Sequence, residues 1–190
     1  MHRILRKDQI FTIPNLLSII RLILIPIIVW LYCEKQNYNA AVAVIVVSGA
    51  TDITDGFIAR HFNMVSDFGK ILDPVADKLT QAAVIICLTT KYNLMIPLII
   101  LFAAKEIVMG VFGFIALKKK DSVNSAKWYG KANTVVLYLS VTALILFPGM
   151  SKTVADALII VCGIMMLLSL GLYTRFYIKL FSKSSAAYES

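Results

Sequence analysis

Long apolar runs separated by short polar breaks set the pattern of this chain. Six stretches, Ile13–Tyr32, Asn39–Arg60, Leu72–Thr90, Leu94–Leu117, Lys131–Phe147 and Thr153–Tyr177, are rich in Leu, Ile, Val, Ala and Phe. A helix needs about 20 such residues to cross the hydrocarbon of a bilayer. The pattern therefore predicts an all-α polytopic membrane protein, with six transmembrane helices in one bundle. The breaks at Cys33–Tyr38, Lys91–Asn93 and Pro148–Lys152 are very short, whereas those around His61–Ile71 and Lys118–Gly130 are longer and polar. One domain is expected over residues 1–181, and the composition of Ser182–Ser190 predicts a disordered tail. In the first eleven residues, His2, Arg3, Arg6 and Lys7 stand among Ile4, Leu5, Ile10 and Phe11. That stretch reads equally as an interfacial amphipathic helix or as a flexible basic tail. No small-x-small cleavage signal follows it, so the first span reads as an uncleaved anchor.

Composition agrees with the pattern. Only 16% of residues are charged, against about 25% in a typical soluble domain, and mean hydropathy is +0.79. Nineteen Lys/Arg against eleven Asp/Glu leave a net charge of +8. No basic patch is interleaved with exposed aromatics, so nucleic acid is not an expected partner. The cations instead orient the bundle. One side receives Arg3, Arg6 and Lys7, then Arg60 and Lys70, then Lys118, Lys119, Lys120, Lys127 and Lys131, then Arg175, Lys179 and Lys183. The other side has Lys35, Lys91 and Lys152. The positive-inside rule places the richer side, with both termini, in the cytoplasm. Lys118–Lys120 reads as a topology determinant or a contact for anionic lipid. Cys33, Cys87 and Cys162 have no metal-ligand or disulfide spacing and read as packing residues.

Four aspartates change the picture. Asp52 and Asp55 fall near the end of the second predicted helix, Asp73 and Asp77 near the start of the third. Spacings of three and four put each pair on one helix face, and antiparallel helices bring the pairs to one depth. Charges at a bilayer are costly and mark function by default. Four carboxylates at one face repel unless a counter-charge joins them. Hard oxygen donors suit Mg²⁺ or Mn²⁺, and four carboxylates suit two ions better than one. Gly56 and Gly69 allow a close approach of helices or ligand, and Pro74 suits the first turn of a helix. Arg60 is placed to meet a phosphate. The plain structural alternative is ion pairing, Lys78 with Asp77 or Arg60 with Asp55.

The segment reads Asp52-x-x-Asp55-Gly56-x-x-Ala59-Arg60, eight residues, then Gly69-x-x-x-Asp73-x-x-x-Asp77. This resembles, position for position, the signature of the CDP-alcohol phosphatidyltransferases, whose six-helix organisation covers nearly the whole chain. The resemblance implies transfer of a phosphatidyl group from CDP-diacylglycerol to an alcohol, with release of CMP, at the cell membrane. It implies that Asp52, Asp55, Asp73 and Asp77 bind the metals and that Asp77 is also the catalytic base. Gly56, Arg60, Ser66 and Gly69 match positions at the CDP-lipid, as do Asn15 and Ser18, more weakly, in Pro14-Asn15-Leu16-Leu17-Ser18. A homodimer is a further implication, for which Gly163 and Gly171, eight apart, are a slight hint of a seam.

The acceptor is read from weaker features. The strings Gly69-Lys70-Ile71-Leu72-Asp73-Pro74-Val75-Ala76-Asp77-Lys78 and Pro14–Arg21 resemble the phosphatidylglycerophosphate synthase and eukaryotic-type cardiolipin synthase branches. Glycerol 3-phosphate is therefore the favoured alcohol, with Lys105 and Lys131 as candidates for its phosphate. Lys105 stands where that branch has Arg, and Gly113 stands where it has a second Arg. Both departures leave open a cardiolipin synthase that accepts phosphatidylglycerol. Lys105 and Glu106 also read as a self-neutralising structural pair. A reading from another class, a cation transporter lined by carboxylates, needs polar groups spread across the bilayer. Here the acids cluster at one face, and Asp156 reads as interfacial near the other. A bacterial membrane is expected from the small size and the absence of a transit sequence.

Overall fold

The computed structural model describes residues 12–61, 69–118 and 128–186. Six α-helices occupy most of them: α1 Ile13–Val29, α2 Tyr38–His61, α3 Gly69–Thr89, α4 Met95–Lys118, α5 Trp128–Leu146 and α6 Lys152–Ala186. No strand occurs among the described residues. The chain divides into two compact units, Met1–Thr90 and Lys91–Ser190. The question of the first eleven residues, helix or tail, lies outside the described residues.

In the first unit α1 packs against both α2 and α3. Thr12 caps α1 by accepting the Asn15 N–H at 3.4 Å, and Pro14 occupies the first turn, where its missing N–H costs nothing. Pro26 lies inside the helix, where it removes a donor from the ladder. A π-helical turn follows at Trp30–Glu34, and Gln36 then turns the chain with φ of 50°. Asn37 accepts the Ala40 N–H at 3.1 Å and starts α2. The rings of Tyr32 and Tyr38 meet across this turn with centroids 5.3 Å apart, so α2 folds back along α1. Two contacts fix α1 and the π-helical turn that continues it against α3. The Ser18 hydroxyl donates to the Asp73 carboxylate, and the Cys33 and Cys87 sulfurs lie 3.9 Å apart. The partners are 55 residues apart in the first contact and 54 in the second, so α1 and α3 run parallel in nearly constant register.

In the second unit α4 and α5 both pack on α6. Lys91 Nζ donates to the Pro148 carbonyl at 2.6 Å, tying the turn before α4 to the turn before α6. Gly163 faces Leu98 of α4, where an added Cβ would lie in ordinary contact at 3.7 Å. The sixth helix corrects two expectations. It runs past Tyr177, and the segment expected to be disordered from Ser182 is helical as far as Ala186. Phe112 of α4 lies 5.4 Å from the Tyr177 ring and 6.3 Å from the Phe181 ring. These contacts hold the last part of α6, which contains no Gly or Pro after Gly171.

Many exposed positions are aliphatic, and several buried ones are polar. Ile23, Val46, Ile86, Ile100, Ile107, Leu139, Ile160 and Leu167 are exposed, whereas Arg21, Ser48, Gln81, Lys105, Asn133 and Ser169 are buried. So many exposed aliphatic side chains suit lipid rather than water as solvent. Among the described residues, four helical segments are long and apolar enough to cross a membrane: Ile13–Glu34, Met95–Ala116, Trp128–Leu146 and Lys152–Phe181. The other two predicted spans are also helices, of which α3 falls short of that composition. Within the described part of α2 the apolar stretch covers Tyr38–Thr51, and its last turns carry Asp52 and Asp55. α3 carries Lys70, Asp73, Asp77 and Lys78.

Candidate active site

The first unit gathers most of the predicted site. α3 begins at Gly69, which is buried, and Asp73 and Asp77 follow one turn apart on the same face. Pro74 lies inside this helix rather than in its first turn, because α3 begins several residues before the expected Leu72. The ring leaves the Lys70 carbonyl without its helical donor.

Each α3 carboxylate is held by a side chain. Ser18 of α1 donates to Asp73 Oδ1. The Pro14 carbonyl, 3.2 Å from the same hydroxyl, is the alternative acceptor for that proton. Ser18 and Asn15 are both essentially inaccessible to solvent, so the polar start of α1 is turned inward. The Gln81 amide donates to Asp77 Oδ2 at 2.9 Å. Lys78 approaches the same oxygen only to 3.8 Å, at a partly exposed position, so this ion pair is a loose one. Lys78 Nζ also lies 3.5 Å from the Gln81 carbonyl oxygen. Gln81 was not anticipated from sequence, although its place four residues after Asp77, one turn on, was the available signal.

Asp52, Asp55, Gly56 and Arg60 lie in the last turns of α2, and their side chains are outside the described residues. Ser66 lies outside them altogether. Among the described residues no three His, Cys, Asp or Glu side chains converge on one point. The donors that are described fit a hard divalent cation in chemistry: carboxylate oxygens, oriented by a hydroxyl and an amide.

The two acceptor candidates belong to the second unit. Lys105 is 5% exposed, pairs with the Glu106 carboxylate and lies 5.8 Å from the Phe102 ring centroid. The self-neutralising pair considered from sequence is thus present. Lys131 is exposed, and Asn133 beside it is buried. Gly130 has a packing reason: a Cβ there meets the Tyr173 hydroxyl inside contact distance and its ring carbons at 3.1 Å. The Tyr173 ring is itself fixed edge-on against Tyr129, with centroids 4.6 Å apart. Thr134 Oγ1 donates back to the Gly130 carbonyl at 3.2 Å.

Among the described residues, helices long and apolar enough to cross a membrane and paired aspartates near a helix start define a helical membrane protein with a carboxylate site. The family model for CDP-alcohol phosphatidyltransferases matches residues 11–175, and the chain belongs to that family. Among its relatives is a CDP-diacylglycerol–glycerol-3-phosphate 3-phosphatidyltransferase of Shigella flexneri, 31% identical over 166 residues, which are 84% of this chain and 91% of the relative. A protein of the same name from Rickettsia typhi is 38% identical over 110 residues, 56% of this chain. The match spans 62% of that relative's own length. A CMP-forming cardiolipin synthase of Streptomyces coelicolor is 32% identical over 149 residues, 76% of this chain and 69% of the relative.

Proposed function

We propose that this protein transfers the phosphatidyl group of CDP-diacylglycerol to glycerol 3-phosphate, giving phosphatidylglycerol phosphate and CMP in phospholipid synthesis. The observation that carries the reading is the α3 face on which Asp73 and Asp77 are held by Ser18 and Gln81, within the complete Asp52–Asp77 spacing. Family membership and the names of the Shigella and Rickettsia relatives support the donor and the favoured acceptor.

Asp52, Asp55, Asp73 and Asp77 would hold Mg²⁺ or Mn²⁺, as two ions, which would offset charge on the diphosphate and on departing CMP. The chain's own groups do the rest. Asp77 takes the proton of the attacking hydroxyl, and Gln81 keeps the accepting carboxylate in one orientation. The acceptor oxygen bonds to the phosphatidyl phosphorus as the bond to the bridging oxygen breaks, and CMP leaves with that electron pair. Gly56, Arg60 and Ser66, with Asn15 and Ser18, are assigned to the CDP-lipid, and Lys105 and Lys131 to the acceptor phosphate. All six helices cross the membrane in this reading, α2 and α3 bringing their acids to the cytoplasmic face beside the Lys/Arg-rich loops. Both termini share that face, in a bacterial cell membrane, with a homodimer as the assembly.

A second reading, cardiolipin synthesis from phosphatidylglycerol, is favoured by Lys105 being committed to Glu106 and by the Streptomyces relative's name. One assay separates them. Purified protein with CDP-diacylglycerol and Mg²⁺ or Mn²⁺ receives glycerol 3-phosphate, phosphatidylglycerol, serine or inositol phosphate in separate reactions. CMP release with glycerol 3-phosphate is expected, abolished by chelation and by Asp52→Asn or Asp77→Asn. Release with phosphatidylglycerol alone moves the assignment to cardiolipin synthesis, and release with none removes the transferase reading.

A further inference from the structure

We propose that the second unit holds a phospholipid site, in which a basic cavity takes a singly negative headgroup and an adjoining apolar groove takes an acyl chain. Gly163 of α6 faces Leu98 of α4, and further along Tyr177 faces Phe112. The two contacts advance by the same number of residues on both helices, so α4 and α6 run parallel and begin at one end of the unit. Lys91 Nζ joins the turns before them through the Pro148 carbonyl at 2.6 Å. At this end lies a cavity of about 530 Å³, whose lining includes Lys91, Asn93, Lys152 and Asp156. Small-ligand sites are of that size, roughly 300–1,000 Å³.

Leu94 lines this cavity and also a second hollow of about 160 Å³, formed by Leu98 and Leu101 of α4 with Ile159, Ile160 and Gly163 of α6. Asp156, Ile160 and Gly163 follow at single-turn spacing on α6, so the two hollows are successive stretches of one path. Leu94 and Ile160 are exposed, and the path therefore opens on the aliphatic surface. A polar end followed by an apolar stretch matches an amphiphile. Charge selects which one. Two ammonium groups and one carboxylate give the cavity a formal excess of one positive charge. Among the described residues, no hydrogen bond or ion pair is made by the Lys152 or Asp156 side chain. A phospholipid with one net negative charge offsets the excess, as anionic headgroups do in basic pockets between membrane helices. In the topology proposed above, this end faces away from the Lys/Arg-rich side. The inference goes beyond the proposed reaction and does not rest on it.

The test is native mass spectrometry of the purified protein in EDTA with phosphatidylglycerol, phosphatidylethanolamine or phosphatidylcholine at equal concentration. Phosphatidylglycerol should be retained at least about fivefold more tightly than either zwitterionic lipid, the effect of one unit charge at close range. Lys152→Gln, at an exposed position, should abolish that preference, and Asp156→Asn should widen it. A general loss of packing does not produce opposite signs. Equal retention of the three lipids, or an unchanged preference in Lys152→Gln, overturns the proposal. Glycerophosphoglycerol, the same headgroup without chains, should not be retained. Gly163→Leu, which fills the groove, should weaken retention of all three lipids. Retention of the bare headgroup as tight as that of the lipid overturns the lipid site in favour of a free phosphodiester. Where Asp156→Asn or Gly163→Leu fails to fold, Lys152→Gln and the bare headgroup decide. None of these readouts is turnover, so failure here leaves the transferase reading untouched.

Discussion

Gln81 shows how a neutral side chain governs a charged one. Its amide reaches back one helical turn to Asp77 at 2.9 Å and is almost fully buried, so the bond is protected from water. Outer partners of this kind are worth roughly 10–100-fold in activity when lost. Gln81→Leu, which keeps the volume and removes the donor, should lower kcat by at least about tenfold with little change in thermal midpoint. Gln81→Glu replaces the donor by a second carboxylate facing Asp77 and should be worse than Gln81→Leu. Both are read from initial rates of CMP release. Sequence concealed this residue because a glutamine in a half-apolar helix looks like one more polar interruption. The aspartates were legible because their spacing is itself the signal.

Element by element, the apolar runs revealed where helices lie, since runs of that length have few alternatives. Their ends were less legible. α6 continues to Ala186 because Tyr177 and Phe181 find Phe112 on α4, a tertiary cause invisible in a run of Ser, Lys and Ala. The π-turn after Pro26 and the left-handed Gln36 likewise have no pattern of their own. Two predictions belong at this scale. Gly130→Ala should cost about 1–3 kcal/mol by overpacking against Tyr173, seen as a lower denaturation midpoint. Gly171, whose Cβ position is open, should accept alanine without loss. The Cys33–Cys87 contact at 3.9 Å tests the parallel register. Copper–phenanthroline, which takes two electrons as two thiols lose their protons, should join them within one chain. The joined protein should keep its turnover, since the link fixes a register already present. Failure to cross-link would contradict the α1–α3 alignment.

For the whole molecule, the many exposed aliphatic residues decide what kind of solvent suits it. Exposed Ile100, Ile107 and Leu139 against buried Arg21, Lys105 and Asn133 mean that hydrocarbon outside offsets what polar packing inside achieves. Mean hydropathy made this legible at once. The packing of helices within each compact unit was not legible, because periodicity describes a helix and not its neighbours. An Ile107→Asp substitution on the exposed face of α4 should cost about 2.5–3.5 kcal/mol of insertion energy, measured as loss of membrane-integrated protein, whereas Ile107→Leu should cost nothing measurable.

In the proposed reaction the aliphatic exterior also fixes the dimension in which the protein meets its donor. A catalyst wrapped in lipid and a substrate with two acyl chains share a plane, so encounters depend on molecules per unit area. Bulk concentration is the wrong variable for this enzyme. With CDP-diacylglycerol constant per litre, added inert phosphatidylcholine should slow CMP release in proportion to the fall in donor mole fraction. Added buffer, which dilutes protein and lipid together, should leave the turnover per enzyme unchanged.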